Sequence, residues 1–502
     1  MITLEEDQLK EAGGVPSFLQ TIPLVADQPY YDLSNAQAGH WLMYSYLKNP
    51  GPFNSLILEQ LPFMRVDAAL EAGRTLIARH SLFRSTFVNV DGVPKQQIHA
   101  PAAFAASITF EPRTGEAAPA VVESLTREAR DYPFDFRTGP LFYIKVVQTR
   151  DNFIFLLNMH HVLTDAWSNA VIRQEIFELY RCCARNAPLS LPPPRIQFTD
   201  YVYWHKALYS KEMPASFKKY WFRYTSRKLP EYDLSSFFSA RQPAAASYRE
   251  RLIEQVREHL KPMRADEEAL FFGVIGKVEM KESAAFRFVV DAATHERLKE
   301  LALAMGATLF NVILYGFNLL IYRLTGSRDS IIGVNVATRN NEDLKNLIGF
   351  MVNTVLIRNE VVPSASLAAG LAATKDALLD ALDFTFYPFE RIMDDFDLAF
   401  ESVSKVFINM PNKNKGELSF IKDFTAGHLD DTFRTGYFDL DVHVNEQKNG
   451  IEIICEYKKD ILRPEQMEYL HRELLGVFSQ LACHPGLPAS ALRPAAGNPI
   501  PA

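Results

Sequence analysis

Long apolar runs are scarce in this sequence. The most membrane-like stretch, Ala307 to Leu324, is broken by Asn311 and Asn318 and falls short of the roughly 20 apolar residues that a bilayer span needs, so it reads as a buried core helix. The N-terminus, Met1 to Lys10, is acidic and has no apolar signal core, which argues against secretion. Cysteine is scarce as well. Of four, Cys182 and Cys183 are adjacent while Cys455 and Cys483 lie far apart, which matches neither a zinc spacing nor a disulfide framework and implies a reducing, cytoplasmic setting. Basic excess is missing: 53 Lys and Arg face 60 Asp and Glu, a net charge of −7, and no basic block of nucleic-acid type occurs. Such a field repels phosphate, so no nucleic-acid partner is expected. With 29 Pro, 23 Gly and 12% aromatic residues, the composition excludes disorder, collagen and coiled coil. What is present is a 502-residue chain, 48% hydrophobic, long enough for about three domains or two large fused lobes with cores that need no staples.

The chain divides into a tail at 1–25, an N-terminal lobe at 26–188, a crossover segment and C-terminal lobe at 189–485, and a Pro/Ala-rich tail at 486–502 that cannot build a core of its own. Helical spacing from Asp67, which is placed to cap the first turn, runs through Leu70, Leu76 and Ile77, and a strand follows near Phe87 to Val90. The continuous apolar run Phe153 to Leu157 reads as a strand buried on both faces at a sheet centre, and it leads to His160 and His161. Beyond them, Trp167, Val171, Ile172, Ile176, Leu179 and Tyr180 share one side of a helix, so the histidines sit on a strand-to-helix turn. Asp291 and Gly306 bracket a further helix, Thr308 to Leu324 with Gly326 makes a nearly all-apolar one, and Ser330 to Val336 is a strand. Helix, buried strand and turn thus occur once in each half, which predicts an α/β protein of two lobes of similar design. The stretch from about 185 to 283, with Pro192-Pro-Pro194, is less regular and carries the crossover.

The densest group of chemical side chains is Met159-His-His-Val-Leu-Thr-Asp-Ala-Trp-Ser168. Histidine alone has an unperturbed pKa near neutrality, which makes one exposed on a turn the most available general base. Adjacent residues on extended backbone point to opposite sides, so at most one of the pair faces a given cleft. Asp165 has three readings: metal partner, imidazole orienter or structural charge. A metal would need a third ligand, and no other His/Cys/Asp cluster has suitable spacing. Trp41, Trp204, Trp221 and Tyr387 read as core packing rather than substrate contacts, and the run Lys218, Lys219, Arg223, Arg227 and Lys228 as a solvated helix face rather than a surface for an acidic carrier protein.

With its surroundings, this stretch resembles the condensation domain of nonribosomal peptide synthetases. The family's diagnostic motif, two histidines, three variable residues and Asp-Gly, is matched by His160-His161-Val-Leu-Thr-Asp165-Ala166. Five further stretches are similar to family motifs in the same order: Ser34-Asn-Ala-Gln37 leading to Trp41; Arg79-His-Ser-Leu-Phe-Arg84-Ser-Thr-Phe87; Gln197-Phe-Thr-Asp200-Tyr201 to Trp204 with Tyr220-Trp221; Asn335 to Arg339 with Ile348-Gly-Phe-Met-Val-Asn353-Thr354 to Arg358; and Tyr387-Pro-Phe389-Glu390. The resemblance covers about residues 28 to 480. Ala166 departs from it in place of glycine, Glu401 to Phe407 lacks the usual Arg-Asp, and Leu234 to Glu282 lacks the proline-rich signature. Epimerization domains continue the motif with Ser-Trp, where this chain has Ser168-Asn169, and heterocyclization domains replace the histidines by aspartates. Plant-type acyltransferases carry Asp-Phe-Gly-Trp-Gly, which Gly436-Tyr-Phe-Asp-Leu440 matches poorly.

The resemblance implies two chloramphenicol-acetyltransferase-like lobes in a V-shaped pseudodimer, with an active-site tunnel between them that phosphopantetheine arms enter from opposite faces. It implies that His161 is the catalytic histidine, that His160 is structural, and that Asp165 forms a salt bridge shaping the site, with Arg84 and Arg339 as candidate partners. Asn353 is either a hydrogen-bonding residue near the tunnel or an ordinary strand-end residue. The implied activity is acyl transfer from a carrier-protein thioester to an amine or hydroxyl acceptor, small or carrier-bound, giving amide or ester. No cofactor of the enzyme's own is implied, because the phosphopantetheine belongs to the carrier. Beginning at Met1 without a Gly-Gly-x-Ser carrier site, the chain reads as freestanding and suited to chain release. The alternative is a catalytically inactive, condensation-like module that recruits a carrier protein or partner enzyme.

Overall fold

The computed structural model describes residues 21–46, 54–130, 132–210, 215–225, 227–230, 281–339, 341–396, 405–410, 427–436 and 438–495, with 232, 234, 398 and 403. Most of the N-terminal tail, the greater part of the expected crossover, residues 401, 402 and 404 of the Glu401–Phe407 stretch, and the end of the C-terminal tail lie outside the described residues. The chain forms two compact units. The first holds the described residues up to 210 together with Ala337–Val352, and the second holds the remainder.

In the first unit, strands β1 (Tyr31–Asp32), β2 (Asn54–Leu61), β3 (Ser85–Val90), β4 (Val93–Ile98), β5 (Ile108–Pro112), β6 (Phe142–Gln148) and β7 (Phe153–His160) make two sheets, ordered β1-β4-β3 and β2-β7-β6-β5. β7 is the central strand expected from its apolar run: it is antiparallel to β2 on one side and to β6 on the other, and every residue from Ile154 to His160 is buried. Its one internal amide, Asn158, donates from Nδ2 to the Ala129 carbonyl at 3.0 Å. Helix Val66–Arg79 lays Ala68, Ala69, Ala72, Gly73, Leu76 and Ile77 inward. Burial of each large aliphatic side chain there stabilises by about 1.5–3 kcal/mol. The helix begins one residue earlier than its spacing suggested, at Val66, and Asp67 does not cap it. Asp67 lies inside the first turn, paired with the Arg65 guanidinium at 2.5 Å, where its charge still favours the helix start. Helix Phe198–Ser210 also belongs to the first unit, beyond residue 188, because its Phe198, Tyr201, Val202 and Trp204 have buried surfaces to cover.

The second unit is built on one seven-stranded sheet. Its strands β8 (Lys281–Asp291), β9 (Asp329–Ala337), β10 (Val352–Glu360), β11 (Val406–Asn409), β12 (Gly427–Gly436), β13 (Leu440–Gln447) and β14 (Gly450–Lys458) run in the order β10-β9-β11-β13-β14-β8-β12. The helix signals read from sequence are physically present. Asp291 accepts from Thr294 N at 2.8 Å to cap Ala292–Ala304. Thr308 and Asn311 form a reciprocal capping box on Leu309–Thr325, which ends at Gly326 with φ +71°, a conformation glycine adopts without strain. Asn318, the other polar interruption of that apolar stretch, is buried between the Leu314 carbonyl and the Ser330 hydroxyl. Among the described residues no single helix is long and apolar enough to cross a membrane; only Ala292–Ala304 and Leu309–Thr325 together reach that length, and they are bent by 106°. The first part of the Pro/Ala-rich tail is packed: Ala489 is buried and donates its amide to the Ala365 carbonyl at 3.0 Å.

Candidate functional site

The site is a strand-turn-helix hinge in the first unit. β7 ends at His160, a 3-10 turn spans His161–Leu163, and Asp165 caps helix Ala166–Ala184 by accepting from Ser168 N at 2.7 Å. Ala166 is the first helical residue and is not among the residues with positive φ, so glycine is not required there. The helix buries Ile172, Ile176 and Leu179 as the spacing predicts, but Trp167 is 42% exposed and donates its indole N–H to the Lys345 carbonyl at 2.8 Å.

The two histidines part company at the end of the strand. His160 is buried; its Nδ1 accepts from Val162 N at 3.0 Å, and the Phe136 ring meets it edge-on at 4.6 Å. Burial first, then the neighbouring His40 and His161, holds its pKa well below the ordinary histidine value, which favours the neutral ring. His161 is half-buried, with Nδ1 2.8 Å from the Thr164 carbonyl oxygen. A carbonyl can only accept, so Nδ1 carries a proton, and in the neutral ring the lone pair lies on Nε2. His40, on helix Asn35–Tyr46, lies parallel to the His161 ring at 6.3 Å and edge-on to His160 at 5.5 Å. Burial, then His161, lowers the His40 pKa to about 3. Phe350 closes the group, 5.5 Å from His161 and 5.1 Å from His40. Sequence reasoning passed over His40, although it stands directly before Trp41 in a stretch already singled out.

Asp165 is a structural charge, and its partner is Arg339. The guanidinium Nη2 lies 3.0 and 3.1 Å from the two carboxylate oxygens, and both side chains are almost wholly buried. The same Nη2 reaches Ser168 Oγ at 2.7 Å, and Nη1 donates to the carbonyls of Leu344 and Leu347 at 2.8 and 2.5 Å. Met351 N donates to Asp165 Oδ2 at 3.0 Å, and Ser168 Oγ bridges the amide and carbonyl of Gly349. The segment Ala337–Val352 is therefore stitched onto the turn. Since Asp165 is spent on Arg339, Ser168 N and Met351 N, the orienting partner of His161 is the Thr164 carbonyl instead. Arg84, the other candidate, is not the partner: it is spent on the carbonyls of Ile77 and His99, at 3.2 and 2.5 Å.

Asn353 belongs to the second unit, where its amide clamps a turn. Nδ2 donates to the carbonyls of Thr385 and Tyr387 at 2.6 and 2.7 Å, and Oδ1 accepts from Phe389 N at 3.1 Å. This is the strand-end alternative in a sharper form, holding Tyr387-Pro-Phe389 in place. Trp41, Trp204, Trp221 and Tyr387 are buried, whereas Lys218, Lys219, Arg223, Arg227 and Lys228 are exposed. Among the described residues no three His, Cys, Asp or Glu side chains are grouped so as to hold a metal ion.

Comparison with known proteins bears on the family and the fold. The chain is 24% identical over 470 residues to tyrocidine synthase 3 of Brevibacillus parabrevis, a match that takes in 92% of this chain and 6% of that protein. With surfactin synthase subunit 1 of Bacillus subtilis (strain 168) it shares 26% over 476 residues, 92% of this chain and 12% of the other. The chain thus spans a small fraction of the length of these curated relatives. Among solved structures, the condensation domain described for chain release from the enacyloxin polyketide synthase superposes with a TM-score of 0.66 at 18% identity, covering 96% of this chain and 89% of that one. The sequence pattern of the family described as Condensation domain matches residues 27–265 and 277–494. That match takes in nearly the whole chain, and the protein belongs to the condensation domain family.

Proposed function

We propose that this chain catalyses acyl transfer from a thioester on the phosphopantetheine arm of an acyl or peptidyl carrier protein to an amine or alcohol acceptor, in nonribosomal peptide or hybrid polyketide biosynthesis. The observation that carries the reading is the His161 tautomer. With Nδ1–H held by the Thr164 carbonyl, Nε2 is the acceptor available to a reacting group. As the acceptor nitrogen or oxygen attacks the thioester carbonyl, it must lose a proton, and Nε2 takes it. The new N–C or O–C bond forms, the C–S bond breaks, and the proton passes from the imidazolium to the departing thiolate, so the arm leaves as a free thiol. Around His161, burial disfavours the charged forms of His160 and His40, and Asp165 is paired with Arg339. We place the reaction in the cytoplasm, the setting to which the four free cysteines are suited.

The test is intact-protein mass spectrometry of an acyl-loaded carrier mixed with the protein and a panel of amines and alcohols, comparing wild type with His161→Ala. The expected result is acyl loss from the carrier with amide or ester product in the wild type and none in the variant, both showing the same melting temperature. A second reading is recruitment without catalysis. It is favoured by the fold's likeness to the X-domain from teicoplanin biosynthesis solved in complex with OxyB, which has a TM-score of 0.66 at 19% identity and covers 96% of this chain and 99% of that one. Carrier binding with persistent loading across the whole panel would select that reading and sink acyl transfer.

A further inference from the structure

Behind His161 runs a chain of hydrogen bonds that neither the motif nor the ion pair uses. Thr164 is completely buried, and its amide closes the turn by donating to the His161 carbonyl at 3.1 Å. Its hydroxyl has one hydrogen and two acceptors within reach, Asn169 Oδ1 at 2.7 Å and the Asp165 carbonyl at 3.2 Å, and the shorter contact prevails. Asn169 is held in turn by its amide, which donates to the Asp165 carbonyl at 2.9 Å, and by Ser55 Oγ, 2.8 Å from Nδ2. Ser55 is buried on β2 opposite Met159, in rigid sheet beside the strand that delivers His160. The amide and the hydroxyl of Thr164 are thus both engaged, beside the carbonyl that faces His161 Nδ1.

We propose that Asn169 is a positioning residue: anchored by Ser55, it fixes Thr164 so that the Thr164 carbonyl keeps the His161 proton on Nδ1 and the lone pair on Nε2. The inference rests on His161 acting through Nε2 and deepens that reading. A neutral imidazole exchanges its two tautomers readily unless one nitrogen has a fixed partner, so the pin on the carbonyl sets how often the base is correctly armed. The site therefore depends on an uncharged chain of Ser, Asn and Thr in the place where other histidine-based sites use a carboxylate.

The test reads the tautomer directly, by nitrogen-labelled histidine NMR on the full chain, with the His161 signals identified by their loss in His161→Gln. Wild type should show the Nδ1-protonated form. In Asn169→Ala and in Thr164→Val, which keeps the side-chain shape without the hydroxyl, the Nε2-protonated form should gain population. Thr164→Ser, which restores the hydroxyl, should return the wild-type spectrum. In acyl transfer, kcat should fall about tenfold in Asn169→Ala and Thr164→Val with KM within about twofold, and stay near wild type in Thr164→Ser. The double variant should be no slower than Thr164→Val, because both break one chain. If Asn169→Ala does not fold, Thr164→Val and Thr164→Ser carry the comparison. An unchanged His161 tautomer in folded Asn169→Ala and Thr164→Val overturns the proposal. A tautomer shift in the two variants, beside a wild type that turns over no substrate, supports the positioning relation and overturns only the acyl-transfer reading.

Discussion

At the residue scale, His40 ties stability to pH. His40 is held neutral at a pKa of about 3 against an ordinary 6.5, chiefly by burial. On acidification the unfolded chain therefore binds this proton first, so the contribution to stability is complete above about pH 6.5 and drains away as pH falls toward 3. Between about pH 7 and about pH 5, this one group removes about 2 kcal/mol. His40→Phe keeps a ring of similar shape and has nothing to titrate. Urea midpoints across that range should therefore fall less steeply in the variant; parallel curves would refute the account. The same scale separates the two arginines. Arg339→Met leaves Asp165 buried without its counter-charge and should cost about 3–5 kcal/mol, together with activity. Arg84→Met removes hydrogen bonds to two carbonyls and should cost about 1–3 kcal/mol, with the His161 turn intact. Equal losses in thermal melts of the two variants would contradict the assignment of Arg339 as the partner.

At the element scale, the strand-turn-helix hinge is held against a neighbour that leaves no spare room. A Cβ placed on Gly349 would overlap the Phe198 ring, while the Gly349 amide and carbonyl are both engaged by Ser168. Gly349→Ala should therefore push the segment off the turn. The expected cost is about 1–3 kcal/mol of stability, and Phe198→Ala in the same chain should recover part of the lost activity by opening space; no recovery would mean that the loss lies elsewhere. Elements of this kind were legible in the sequence wherever the signal is local. The apolar run of β7, the Asp291 and Thr308 caps and the Gly326 stop all read correctly, because each depends on residues within a turn or two. Asp67 read as a cap because its type suits one, yet the helix starts one residue earlier and Arg65 takes its carboxylate. Trp167 read as sharing one helix side with Ile172 and Ile176, but Lys345, 178 positions away, captures its indole at the surface. His161 and Asp165 stood out because the motif is contiguous. His40, Thr164 and Asn169 did not, since their contacts come from ring packing and from hydrogen bonds to residues distant in sequence, such as Ser55, that spacing does not reveal.

At the scale of the whole molecule, the first unit is not made by the first half of the chain alone. Ala337–Val352, which runs from the last residue of β9 to the first of β10, contributes buried Leu344, Leu347, Ile348 and Met351 to it, besides Arg339. The choice between Arg84 and Arg339 could not be made from spacing for this reason: 174 residues separate Arg339 from Asp165, and only the fold brings them to 3.0 Å. A chain ending at residue 213 keeps every strand from β1 to β7 and both histidines, yet it lacks the counter-charge for Asp165 and the two amides, from Met351 and Gly349, that Asp165 and Ser168 accept. A buried carboxylate so stripped costs several kcal/mol, a large share of the stability of an ordinary domain. Residues 1–213 expressed alone should therefore show helix and strand by circular dichroism with no cooperative thermal transition. Asp165→Asn in the same fragment keeps a good helix cap without the charge and should restore part of the transition. A sharp melt in the unmodified fragment would show that the first unit is complete without its return segment, and that the Asp165–Arg339 pair is dispensable for folding.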